Sequence, residues 1–256
     1  MANPLGISVN PNNWQLLPRY AAAGMEVVEI SLPLAPIDEL RLFACEAYAL
    51  LRQSGLALWS VHLPFGRRLD ISNPDEAARA QALEELGLSI DLARGLGAKT
   101  LVVHGSSEPN AEESRPARME ACARSLKALQ DKAGGMRLAV ENLPRTCIGR
   151  AGWEAAKLSE CCAGVCFDVN HLLMEDHSAF LDAVEGKVIT THLSDYDGVD
   201  ERHWLPGMGV VPWKLVHDRL LAAGYQGPFL FELGLSAEKK PYDPAEVVAA
   251  WRGLVG

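Results

Sequence analysis

One pattern repeats from end to end of this chain: a short β-branched, apolar run closing on a polar residue, then a longer stretch whose apolar residues recur at helical spacing. Eight runs form the strand half of the pattern: Gly6 to Val9, Glu26 to Ile30, Ala57 to His62, Thr100 to His104, Leu138 to Glu141, Gly164 to Asp168, Val188 to His192 and Pro228 to Glu232. Between them Ile37, Leu40, Phe43, Ala47 and Leu50 fall three and four apart, as do Leu83, Leu86, Ile90, Ala93 and Leu96, which places an apolar stripe along one side of a helix. Asn73-Pro74-Asp75 sets a capping residue before a proline at a first helical position, and Gly24, Gly55, Gly97, Gly135 and Gly227 stand just ahead of strands. Eight units in 256 residues average 32 residues each, enough for a strand, a helix and two loops. No Pro/Ser-rich linker divides the chain, so residues 1–256 read as one domain. A single (β/α)₈ TIM barrel of the α/β class fits best and an open doubly wound sheet second. The first strand–helix turn lacks GxGxxG, which argues against a dinucleotide fold.

Composition narrows the functions. Hydrophobic residues at 48% and charged residues at 22% exclude disorder and supply a substantial core. The formal charge of −9 works against phosphate backbones and anionic lipid surfaces, so no nucleic-acid and no membrane partner is expected, while a homo-oligomer remains open. With no cationic leader before a long apolar run and no membrane-length segment, the expected location is cytoplasmic. The six cysteines form no CxxC pair and read as reduced core residues.

In such a barrel the residues that end strands and open the following loops share one rim, where active sites of the fold lie. Here they are Glu29, His62, His104, Glu141, Asp168 with His171, His192, Glu201 with His203, and Glu232, which take in five of the seven histidines. A carboxylate closing an apolar strand, such as Glu141 in Ala-Val-Glu-Asn or Glu232 in Phe-Leu-Phe-Glu-Leu, needs a counterion. Arg145, Lys187 and Arg202 are the few bases in neighbouring loops. Glu141, Asp168, His192 and Glu232, from strands five to eight, would therefore share one divalent ion, and three carboxylates with one imidazole suit Mn²⁺, Mg²⁺, Co²⁺ or Zn²⁺.

Gly164-Val-Cys-Phe-Asp168-Val-Asn-His171, Thr191-His192-Leu-Ser-Asp195 and His203-Trp-Leu-Pro-Gly207-Met-Gly209-Val-Val-Pro-Trp213 resemble, in that order, segments of the xylose isomerase-like TIM-barrel superfamily, which includes sugar isomerases and epimerases, inosose dehydratases and AP endonucleases of the endonuclease IV kind. For the epimerase branch the resemblance implies one metal on Glu141, Asp168, His192 and Glu232, an acid/base pair in Glu141 and Glu232, and a substrate contact at His171. For the endonuclease branch it implies three zinc ions, with His62, His104, His171, Glu201 and His203 as further ligands and Glu201 where that branch has Asp. The acidic balance and the segment Asp195 to Glu201, with four acidic residues, favour a small carbohydrate, which His62, His104, His171, Glu201 and His203 would bind. The loop Asn142 to Cys147 lacks the second acid of characterised keto-sugar epimerases, and their arginine after strand seven has no clear counterpart.

The expected function is thus a divalent-metal-dependent isomerase or epimerase of a sugar, sugar phosphate or inositol-derived ketone, with proton transfer through a metal-stabilised enediolate. Rival readings are a multi-zinc phosphodiesterase and a noncatalytic sugar-binding barrel. Trp14, Trp59, Trp204 and Trp213 are candidates for an apolar wall of the substrate site.

Overall fold

The computed structural model describes residues 3–256. Its strands are β1 (Leu5–Val9), β2 (Val27–Ser31), β3 (Ala57–His62), β4 (Thr100–His104), β5 (Arg137–Glu141), β6 (Gly164–Asp168), β7 (Val188–His192) and β8 (Phe229–Phe231). Each is followed by a helix: α1 (Leu17–Ala22), α2 (Ile37–Ser54), α3 (Glu76–Leu96), α4 (Arg115–Ala133), α5 (Gly152–Leu158), α6 (His177–Ala183), α7 (Trp213–Ala222) and α8 (Pro244–Val255). All neighbouring strands pair in parallel in the order β7-β6-β5-β4-β3-β2-β1-β8. The ring closes just past β7, where Leu193 bridges Phe231 and its amide donates to the Leu230 carbonyl at 2.8 Å. The fold is the single (β/α)₈ barrel read from the repeat.

Alternation within each strand explains why the runs read as apolar yet end polar. Ile7, Val28, Ile30, Val61, Leu101, Val103, Leu138, Val140, Val165 and Phe167 join the large cluster between sheet and helices. The intervening positions carry small or polar side chains, among them Ser8, Glu29, Ser60, Ala139, Cys166 and Thr190, with a small separate cluster of Val102, Ala139 and Cys166 against Ile189. Hydrogen bonds tie the polar members together: Ser8 and Ser60 donate to Glu29, and Thr190 Oγ1 accepts from Trp59 Nε1.

Some boundaries move. β2 runs one residue later than its expected span, and β8 stops at Phe231, leaving Glu232 just beyond it. The cap of α3 is Asp75, not Asn73: its carboxylate accepts from the amides of Ala77 at 2.9 Å and Ala78 at 3.1 Å, while Asn73 instead accepts from the Asp75 amide. Gly55 and Gly97 end α2 and α3 in the left-handed conformation, at φ 76° and 84°. Cys122, Cys147 and Cys166 are core residues, whereas Cys45 is exposed on α2. No helix among the described residues is long and apolar enough to cross a membrane.

Candidate metal and active centre

The carboxyl ends of the strands converge as the barrel closes. His62, His104, Glu141, Asp168 and His192 are the last residues of β3 to β7, and pairing sets His104 beside Glu141 and Asp168 beside His192. Glu141, Asp168, His192 and Glu232 each offer a ligand atom, all within 4.8 Å of one another. His192 Nδ1 lies 3.2 Å from Glu141 Oε1, 3.4 Å from Glu232 Oε2 and 4.0 Å from Asp168 Oδ2. On the other side Glu141 Oε2 is 3.0 Å from His62 Nε2 and 3.2 Å from His104 Nε2. No guanidinium or ammonium group among the described residues forms an ion pair with Glu141, Asp168 or Glu232; only imidazoles do.

His171 sits in a single turn after β6, and its Nδ1–H donates to the Asn142 carbonyl at 2.8 Å. Glu201 and His203 come from the loop between β7 and α7. They meet His171 in a second group of ligand atoms, with Glu201 Oε2 3.9 Å from His171 Nε2. His203 has φ 49°, a left-handed backbone steadied by Asn170 Oδ1, which accepts from the amides of Arg202 and His203. Asn142 clasps β6: its side chain donates to the Asp168 carbonyl and accepts from the Asp168 amide, both at 2.8 Å. Of the ten residues singled out at strand ends and in the following loops, nine are thus on one rim; the tenth, Glu29, lies in the middle of β2 with its side chain buried inside the barrel.

Burial and neighbouring charges set the protonation pattern. Burial pushes the Asp168 carboxyl well above its ordinary range, and the negative charges of Glu141 and Glu232 push it the same way. Glu141, equally buried, is instead drawn well below that range because His192 and His104 outweigh its burial. His62 overcomes its own burial through its hydrogen bond and charge pairing with Glu141 and is pushed up to about 9. Burial keeps His104 below the usual histidine range.

The donor set fits a divalent ion. Asp168 Oδ1 accepts from the Asn170 amide, but Asp168 Oδ2 is buried with no hydrogen-bond partner and faces the other three ligands. A fully buried acceptor without a donor is costly. Three carboxylates and one imidazole are hard-to-borderline donors of the kind that hold such a cation.

Several neighbours matter that the sequence reading did not single out. Phe65, 46% exposed, stacks on His104 with ring centroids 4.1 Å apart and lines the mouth together with Arg67, Ser107, Glu108, Arg145 and Glu201. None of the four tryptophans proposed as an apolar wall is among the residues that line this pocket with Phe65. Trp14 packs against Phe43, Trp59 donates to Thr190 Oγ1, Trp204 bridges Asp195 through its backbone, and Trp213 donates to Asp195 Oδ2. An aromatic beside a strand-ending histidine was the available signal for Phe65. The acidic segment after β7 is also less repulsive than its composition implies. Asp195 is buried against its own loop, Asp197 pairs with Arg202, and Arg145 pairs with Asp200, Glu201 and Glu108.

A closed barrel whose mouth gathers four metal-type ligands from the ends of its last four strands defines a class of TIM-barrel protein with its centre built on the strand ends. Residues 17–251 match the family model described as xylose isomerase-like TIM barrel, and the chain belongs to that family. It is 25% identical over 235 residues to an L-ribulose-5-phosphate 3-epimerase of Salmonella typhi, covering 88% of this chain and 81% of that protein. Its fold is similar to that of a 3-keto-D-glucoside 4-epimerase from E. coli, with a TM-score of 0.78, 20% identity and coverage of 98% and 100% of the two chains. A D-psicose 3-epimerase from Clostridium cellulolyticum H10 gives a TM-score of 0.77 at 15% identity, covering 98% and 99%.

Proposed function

We propose that the chain is a divalent-metal-dependent isomerase or epimerase of a small carbohydrate. The observation that carries the reading is the Glu141–Asp168–His192–Glu232 group with its unpartnered Asp168 oxygen. The relatives named for epimerisation of keto-sugars support it. Bound there, an Mn²⁺, Mg²⁺, Co²⁺ or Zn²⁺ ion would polarise the substrate's carbonyl and adjacent hydroxyl and stabilise the enediolate left by proton removal.

The protein's own groups divide the remaining work. Glu232, whose side chain is 26% exposed at the mouth, is the base within reach of a substrate C–H, and Glu141 faces it across the centre as its acid/base partner. Glu141 Oε2 is already hydrogen-bonded by His62 and lies 3.2 Å from His104 Nε2; the two imidazoles hold the carboxyl in place and contact substrate hydroxyls. His171, Glu201 and His203 bind the sugar's far end, and Phe65 covers an apolar face of it.

Solvent deuterium uptake into ketoses and ketose phosphates tests the reading. The parent exchanges a carbon-bound proton, and Glu232→Gln lowers that rate by about 10²- to 10⁴-fold, the loss expected when a general base is removed, while metal content is measured alongside. A Glu232→Gln protein that keeps its metal and exchanges at the parent rate would sink the role of Glu232; a parent that exchanges no sugar tested would sink the epimerase reading.

One observation favours a second reading, a multi-zinc phosphodiesterase: His62, Glu141 and His192, and separately His171, Glu201 and His203, also bring ligand atoms within 4.8 Å of one another. One metal ion per chain and no incision of an abasic duplex support the epimerase; three zinc ions with incision support the hydrolase. The net charge of −9 opposes duplex binding.

A further inference from the structure

Glu29 lies in the middle of β2 and is fully buried. Its carboxylate accepts three hydrogen bonds: from Ser8 Oγ at 2.9 Å and His192 Nε2 at 2.9 Å on Oε1, and from Ser60 Oγ at 2.7 Å on Oε2. No lysine or arginine among the described residues pairs with it; its one ion-pair partner is His192. Burying a carboxylate this deeply is costly unless its partners repay the loss of water. An apolar side chain would fill the same space without that cost, so the charge has a task.

The task follows from the two faces of the His192 ring. Its Nε2 points into the barrel at Glu29, and its Nδ1 points to the mouth, toward Glu141, Glu232 and Asp168. A neutral imidazole carries its hydrogen on one nitrogen and a lone pair on the other, and only the lone pair binds a metal. We propose that Glu29 is a positioning residue that holds the hydrogen of His192 on Nε2, so that Nδ1 is presented to the metal as a lone pair. Ser8 and Ser60 fix the carboxylate for this purpose, because toward an ionised carboxylate a hydroxyl acts as donor. The contact is a metal-bound histidine backed by a carboxylate, an arrangement that orients the ring and raises its basicity. Glutamine at 29 keeps the shape but offers N–H groups that compete for Nε2 and favour the opposite tautomer.

The inference rests on the metal centre proposed above but not on the sugar chemistry, and its test needs no substrate. Protein labelled with ¹⁵N-histidine and loaded with ¹¹³Cd²⁺ is expected to show cadmium coupling on Nδ1 of His192 and an intact N–H on Nε2, the resonances being those missing from His192→Asn. Cd²⁺ affinity, measured by chelator competition, is expected to fall about 10- to 100-fold in Glu29→Gln. Ser60→Ala, which removes one of the carboxylate's three donors but keeps the carboxylate itself, is expected to lower it by less than Glu29→Gln does. Coupling on Nε2 in the parent overturns the proposal, as does a folded Glu29→Gln protein with parental affinity and parental coupling. If Glu29→Gln does not fold, the parent spectrum alone decides. A parent that takes up no Cd²⁺ overturns this inference together with the metal centre, whereas equal binding by parent and Glu29→Gln removes only the role of Glu29.

Discussion

Asp168 shows how much of the centre lies in single atoms. Its Oδ1 is tied to the Asn170 amide and its backbone to Asn142, so the carboxyl has little freedom to turn its unpartnered Oδ2 away from Glu141 and Glu232. Without a cation the cheapest arrangement is a proton on Asp168, as its raised pKa indicates. Asparagine imitates that protonated form. Asp168→Asn is therefore expected to leave the unfolding temperature of the metal-free protein within a few degrees of the parent while weakening metal binding by about 100-fold or more. Parallel thermal scans and chelator titrations would check both halves, and undiminished metal affinity would remove Asp168 from the ligand set. The candidate ligands were legible because a charged residue closing an apolar strand is conspicuous in one dimension. Glu29 was visible as such a residue, yet its purpose was not: its partner His192 is 163 positions away and comes within hydrogen-bond reach only when β2 and β7 face each other inside the barrel.

The loop from β7 to α7 poses the same question for an element. It carries Glu201 and His203, and its shape depends on Asp195, whose carboxylate accepts from the amides of Tyr196, Gly207 and Val211 and from Trp213 Nε1 at 2.8 to 3.1 Å. Gly209 passes so near this knot that a Cβ there would lie 2.0 Å from the Tyr196 carbonyl oxygen and 2.4 Å from Asp195 Oδ1. Backbone cannot yield that far without breaking the hydrogen bonds. Gly209→Ala is expected to cost about 1–3 kcal/mol, in the range of overpacking, and to lower sugar turnover by moving Glu201 and His203. Calorimetry and steady-state kinetics would show it, and parental values for both would mean that the loop does not depend on this contact. Strands and long helices were readable from the sequence because each carries its own periodicity. This loop has none, so its motif residues were visible, Asp195 among them, but the Asp195 charge was weighed with the acidic groups of the mouth, when in fact it is spent on its own loop.

At the scale of the whole molecule, eight units that cannot bury an apolar face alone close into one ring, and closure places carboxylates from separate strands at one mouth. The repeat made that architecture legible, and with it the rim. What the repeat could not convey is the electrostatic cost of closing: three carboxylates and four histidines share a small buried volume, and there His62 and His192, overcoming their own burial beside acidic neighbours, are held above the usual histidine range. A ligand that binds only the folded state stabilises it by mass action, by about 2.7 kcal/mol at a concentration of 100 times its Kd. For a chain of this length each kcal/mol moves the unfolding midpoint by about 2–4 °C, so saturating Mn²⁺ or Zn²⁺ is expected to raise Tm by roughly 5–11 °C over the chelated protein. The rise should shrink sharply in Asp168→Asn, which lacks one ligand, but persist in Ser60→Ala, where the ligand set is intact. An unchanged midpoint with every divalent ion tried would mean that the mouth is held together by its imidazoles alone, and the case for a metal-assisted reaction would fall with it.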